Sequence, residues 1–112
     1  MQAEDVVRIR HMIEAAESAL AFAQGRARAD LDTDKMLQFA LVQAVQIVGE
    51  AASKVSAEGR AELPDVPWAV ITGMRNRLVH AYFEINQDIL WTTVQQALPD
   101  LLAQLKSHPL PE

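Results

Sequence analysis

Apolar residues recur along this chain with the period of an α-helix, four times over, and nowhere with the alternation of a half-buried strand. The first stripe is Val6, Ile9, Ile13, Ala16, Leu20 and Ala23, which predicts a helix over about residues 4–24. The second is Leu37, Leu41, Ala44, Val48, Ala51 and Val55, with Asp32 or Thr33 available as its cap. The third runs through Trp68, Ile71, Met74 and Leu78 to about Phe83. Its first position is Pro67, where a missing N–H costs nothing. The fourth carries Leu90, Val94, Ala97, Leu101 and Leu105 behind a cap at Asn86 or Asp88, and Pro99 removes one of its backbone bonds. Gly25 with the charged stretch 26–30, and Gly59 with Glu62-Leu63-Pro64-Asp65, read as the turns between. Each stripe must be buried against another. The pattern therefore predicts an all-α fold, an antiparallel up-down bundle of four main helices with the last kinked near Pro99.

At 112 residues the chain is long enough for one core. Residues 1–106 are expected to form a single helical domain, and 107–112, with two prolines, a flexible tail. The absence of cysteine excludes disulfides and thiolate metal sites and suits a reducing cytoplasm. Glu4, Asp5, Arg8 and Arg10 stand where a signal peptide needs an apolar run, and the uncharged stretch Met36 to Gly49 is too short to span a bilayer. The expected setting is cytoplasmic, without a membrane. His11 and His108 read as surface residues, and no metal or cofactor is expected. The net charge of −5 cannot hold nucleic acid by bulk attraction, so any RNA contact must be local. The second helix also carries Phe39 and Val42 on its far side, beside Gln43 and Gln46, which suggests that a second copy covers that face.

Candidate chemistry is confined to Met74-Arg75-Asn76-Arg77-Leu78-Val79-His80-Ala81-Tyr82-Phe83. At about 100° per residue, Ile71, Met74, Leu78 and Ala81 share the core side of a helix, and Asn76 lies nearly opposite with Val79, His80 and Phe83 close by. Arg75 and Tyr82, seven apart, fall on one line along the same helix. Val79 and Phe83, on a face that also carries an amide and an imidazole, are the candidate dimer contacts.

The run Arg75-Asn76, His80 and Tyr82 resembles the motif of HepT-like toxins in the HEPN superfamily: arginine, four residues, histidine, one residue, tyrosine. The landmarks around it agree over nearly the whole chain. Ile47-Val48-Gly49-Glu50-Ala51-Ala52 ends the second helix, Pro67-Trp68 opens the third, Ile89-Leu90-Trp91 opens the fourth, and Leu98-Pro99 interrupts it. The resemblance implies a HEPN-like helical domain with endoribonuclease activity, assembled as a homodimer or higher oligomer whose motif copies share one cleft. It also implies a partner, a small MntA-like nucleotidyltransferase antitoxin that adds AMP to Tyr82.

These residue types suit metal-independent RNA cleavage, because RNA carries its own nucleophile in the 2′-OH. An imidazole such as that of His80 titrates near neutrality and can move the proton. The Arg75 guanidinium can fork two hydrogen bonds onto phosphate oxygens, and Asn76 can position the phosphate or orient His80. Plainer readings stand beside these. A helical histidine is commonly structural, Arg75 can pair with Glu84 or Glu50, Glu50 can be an ion-pair or cap partner, and Tyr82 can be an interface aromatic. The alternative function is a non-catalytic HEPN-like dimer that holds a nucleotidyltransferase or a nucleotide.

Overall fold

The computed structural model describes residues 1–80 and 84–110, with Val79, His80 and Glu84 as backbone. The first helix, α1, spans Ala3–Ala23 and buries Val6, Ile9, Met12, Ala15, Ala16, Ala19 and Ala23. Ile13 and Leu20, expected at the centre of its stripe, are only partly buried at the core's edge. Gly25 follows with φ of 74°, a left-handed conformation that a side chain disfavours, and turns the chain out of the helix. A single helical turn, α2 (Asp30–Thr33), leads into α3 (Lys35–Ser53). The cap of α3 is Asp34, whose carboxylate accepts from the Leu37 N–H, and not Asp32 or Thr33 as expected. Asp32 is engaged instead by Arg28.

Where Gly59 predicts a turn the structure has a short helix, α4 (Ala57–Glu62), capped by Ser56, whose hydroxyl accepts from the Gly59 N–H. The same hydroxyl and the Ser56 N–H both donate to Asp5 of α1, a carboxylate only 3% exposed. Those two bonds hold the Asp5 carboxyl below the usual carboxylate range, against the opposing effect of burial. Gly59 is therefore a close-packing position, since a Cβ there would meet Asp5 Oδ2 at 2.7 Å.

The expected third helix is broken. It comprises α5 (Trp68–Thr72), a turn at Gly73, and α6 (Met74–Leu78). After Leu78 the backbone is extended. Strand β1 (Val79–His80) pairs antiparallel with β2 (Glu84–Ile85), with Val79 opposite Ile85 and His80 opposite Glu84. The Asn86 N–H closes this hairpin on the Leu78 carbonyl at 2.8 Å. Asn86 then caps α7 (Gln87–Thr92) by accepting from the Ile89 N–H. The ladder widens into a π-turn over Thr93–Ala97, where the Leu98 N–H reaches back to the Thr93 carbonyl, before α8 (Leu98–Lys106). Pro99, in the first turn of α8, lacks the N–H that would continue a regular ladder, so the irregularity falls where the sequence places it.

The chain is thus mostly helical among the described residues, with one two-residue ladder that the sequence reading did not foresee. Its most extensive contact is between α1 and α3. The π-turn and α8 pack on α1, while α5 and α6 pack on α3. Ile9, Leu41, Val45, Leu78, Leu90, Val94 and Leu98 lie in the shared core. Among the described residues no helix is long and apolar enough to cross a membrane.

Candidate active site

The position of Arg75 and Asn76 follows from the break at Gly73. Beneath that break lies Gly49 of α3, where a Cβ would come within 3.3 Å of the Ile71 carbonyl oxygen. The missing side chain lets the end of α5 sit directly on α3. The next helix, α6, buries Met74 and Leu78 and exposes Arg75, Asn76 and Arg77. Arg75 and Asn76 line an open cleft of about 120 Å³ with Gln46, Gly49, Glu50, Ser53 and Thr72. Across the cleft, Gln46 Nε2 donates to Glu50 Oε1 at 3.1 Å, so Glu50 is bonded within its own helix. No ion pair joins Arg75 to Glu50 or to any other carboxylate among the described residues.

Arg26 and Arg28 are placed quite differently. Arg26 Nη2 donates to Asp34 Oδ2 at 2.7 Å and Nε to Asp30 at 3.4 Å. Arg28 bonds Asp88 at 2.7 Å and Asp32 at 3.0 Å. Asp34 and Asp32 respectively are the main influences that raise these guanidinium groups above their ordinary range. The loop at residues 26–28 is therefore neutralised by aspartates rather than left to attract phosphate. Arg60 is structural too. It donates to the Ala52 carbonyl in the last turn of α3 and to the Val55 carbonyl just beyond, and lies 5.5 Å from the Trp68 ring centroid.

His80 does not continue the helix. It is in β1, so it does not lie one helical turn beyond Asn76 as a continued helix would place it. Tyr82, Phe83 and Ala81 lie outside the described residues. α6 ends at Leu78, and the alignment of Arg75 with Tyr82 along one helical line falls outside the described residues. Val79, a proposed dimer contact, belongs to β1, and Phe83, the other, lies outside the described residues. A signal for the hairpin is present in the sequence: Val79, Tyr82, Phe83 and Ile85 are β-branched or aromatic, and all are strand-favouring. Gln46, Ser53 and Thr72 were not singled out as cleft residues. The outward row Gln46, Glu50, Ser53, spaced four and three apart on α3, is the pattern that could have found the first two. Among the described residues no group of His, Asp and Glu converges as a metal site would.

Comparison with known proteins accounts for the chain from near its start to its last helix. The profile of the family described as "Ribonuclease HepT-like" matches residues 12–108. A protein of Caldanaerobacter subterraneus subsp. tengcongensis named "Putative RNase" is 34% identical over 98 residues, 88% of this chain and 88% of that one. A "Probable ribonuclease HepT" of Thermococcus cleftensis is 33% identical over 98 residues, covering 88% of this chain and 84% of its own. No solved structure gives a significant match. With the family profile spanning both the core helices and the Arg75 cleft, this chain belongs to the HepT-like ribonuclease family.

Proposed function

We propose that the chain is a metal-independent endoribonuclease toxin that cleaves RNA by 2′-OH transesterification. The observation that carries this reading is the exposed Arg75–Asn76 pair, open to solvent in a cleft where no described carboxylate pairs with Arg75. A buried or salt-bridged arginine would have to surrender that partner to meet a phosphate; this one does not. In the reaction the 2′-oxygen bonds to phosphorus as the bond from phosphorus to the 5′-oxygen breaks. One proton leaves the 2′-OH and one reaches the departing 5′-oxygen, and His80 is the group assigned to this transfer. Arg75 stabilises the charge that gathers on the phosphate oxygens, and Asn76 positions that phosphate. The products are a 2′,3′-cyclic phosphate and a 5′-hydroxyl.

The active unit is a homodimer of HEPN-like up-down bundles acting in the cytoplasm, with a nucleotidyltransferase antitoxin as its partner. Phe39 is 65% exposed on α3 and lines a mainly apolar hollow with Val42, Gln43 and Ile85, which supports a second copy on that face. Two copies of His80 at one cleft would divide the acid and base roles. Silencing by AMP on Tyr82 rests on the family resemblance, in which the tyrosine follows the histidine by two positions. The alternative, a non-catalytic module that holds the nucleotidyltransferase or a nucleotide, is favoured by the net charge of −5 and the neutralised Arg26 and Arg28. Purified chain incubated with RNA in EDTA separates the two. Cleavage with cyclic-phosphate ends is expected; strict dependence on added Mg²⁺ overturns the mechanism, and intact RNA in every condition favours the binding module.

A further inference from the structure

The motif helix α6 faces two clefts, and the larger one has no part in the chemistry described above. Arg77, two residues beyond Arg75, opens onto a hollow of about 450 Å³ lined by Ile89, Thr92, Thr93, Gln96, Ala97 and Asp100, with Asp88 at its rim. That volume lies in the range of small-ligand sites. Its polar groups are unequally committed. The Thr93 hydroxyl donates to the Ile89 carbonyl, and Asp88 is held by Arg28. Arg77, Gln96 and Asp100 are exposed, and no hydrogen bond or ion pair joins them to another described residue. Ile89, 36% exposed, and Ala97 give the hollow an apolar wall. Gln96 and Asp100 stand four apart at the junction of the π-turn with α8, so an amide and a carboxylate face the hollow from successive turns.

A free guanidinium, an apolar wall and an uncommitted amide–carboxylate pair make a set that fits a nucleotide better than an anion or a hydrocarbon. The guanidinium meets a phosphate, the wall takes the face of an unstacked base, and the pair reads the base's Watson–Crick edge. Among the four RNA bases, guanine alone places two N–H donors side by side, N1–H and the 2-amino group, where one carboxylate can accept both. We propose that this hollow is a base-reading subsite for a single-stranded RNA nucleotide next to the scissile phosphate. Asp100 and Gln96 select guanine there, and Arg77 holds the neighbouring phosphate. The proposal rests on the ribonuclease reading for its place in the substrate, while the pocket itself can be tested without cleavage.

Four short RNAs that differ only in the base beside the cut, compared by kcat/KM, test the selection. The chain is expected to prefer guanine by about ten- to hundredfold. Asp100→Asn and Gln96→Ala, both at exposed positions, should level the four RNAs, with unchanged circular dichroism. A preference that survives both substitutions overturns the proposal, as does equal cleavage of all four RNAs by the unaltered chain. Titration with GMP, followed by the amide resonances of Thr92, Gln96 and Asp100, supplies the independent reading. Shifts that vanish in Asp100→Asn support the subsite even if no RNA is cut, in which case only the ribonuclease reading fails. No shift with GMP, or equal shifts with CMP and UMP, sinks the subsite while leaving that reading intact.

Discussion

Along α1 and α3, side chain after side chain is fully buried: Ile9, Met12, Ala16 and Ala19 on one, Leu41, Val45, Val48 and Ala52 on the other. Between Met74 and Asn86 the chain instead changes conformation twice within thirteen residues, from a five-residue helix to a hairpin to a capped turn. The first region is held by apolar area removed from water, at roughly 25 cal/mol per Å². Anchors of the second are Met74 and Leu78 in the core, the Leu78–Asn86 backbone bond, and the ladder of β1 and β2. A helix continued past Leu78 would have spread the motif along a rod. The paired strands instead set His80 opposite Glu84, two residues beyond the Leu78–Asn86 bond, and leave Arg75 and Asn76 on the preceding turn facing α3.

If this division is right, a change at the motif should remove function without stability, and a change in the frame should do the reverse. The largest effect expected is on rate. Arg75→Ala deletes an exposed side chain and should cost about 10²–10³ in cleavage, as loss of one charge-stabilising donor does elsewhere, with no change in melting temperature. His80→Ala should cost at least as much. An Arg75→Ala protein that cuts RNA at the original rate would detach the cleft from the chemistry.

Leu41→Ala is the opposite probe. Leu41 is 0% exposed at the contact of α3 with α1, and its truncation leaves a cavity worth about 2–5 kcal/mol of stability. Urea denaturation should show the unfolding free energy falling by that amount and the midpoint falling with it, while cleavage by the protein that remains folded is kept. A loss of less than 1 kcal/mol would mean that the frame is not held mainly by this contact.

How much of this could be read from the sequence follows the same division. The frame was legible because its apolar residues repeat at helical period over many turns, so an error at one position, such as Ile13 for Met12, does not move the helix. Pro99 was legible for a similar reason: a residue without an N–H disturbs any helix it enters. The hairpin was not. Met74 and Leu78 fit helical period, and Val79 to Ile85 is too short for alternation to outweigh a periodic pattern already running. Ser56 was overlooked as a cap because the N–H it accepts from belongs to Gly59, which read as a turn, and its other partner, the Asp5 carboxylate, is 51 residues away. Gly59 misled as a turn signal because the demand it meets is packing space for that same carboxylate.

Asp5 gives a smaller test of the frame, and one with a pH axis. Asp5→Ala leaves the Ser56 N–H without its acceptor in a nearly closed site and should destabilise the fold by about 1–3 kcal/mol. Its carboxyl is held below the ordinary value in the folded state. Its stabilising contribution is therefore present above the unfolded value near pH 4 and fades as pH falls through the lower folded one. The unaltered protein should lose more stability than Asp5→Ala between pH 5 and pH 2, so the two denaturation midpoints converge in acid. Parallel pH profiles would show that the bonds to Ser56 contribute little.

The smallest effect is expected where the two regions are tied together. Arg28, in the loop after α1, bonds Asp88 in the first turn of α7, sixty residues away and two residues past the cap that follows the hairpin. Both side chains are solvated, Asp88 at 84% exposure, so the pair is screened by salt and contributes little to global stability. Its effect should be local. Arg28→Ala removes the only ion pair that joins this loop to α7 among the described residues, and α7 begins directly after the bond that closes the hairpin. Hydrogen exchange at the Asn86 N–H, bonded to the Leu78 carbonyl, reads that opening without unfolding the frame. In Arg28→Ala this amide should exchange severalfold faster at low salt, and the difference should shrink in about 1 M salt, where the screening length falls to ~3 Å. Exchange of amides in the middle of α1 and α3, around Met12 and Val45, should not change. If those core amides quicken as much as Asn86, the ion pair acts on the whole fold, and the frame and the motif segment open as one unit.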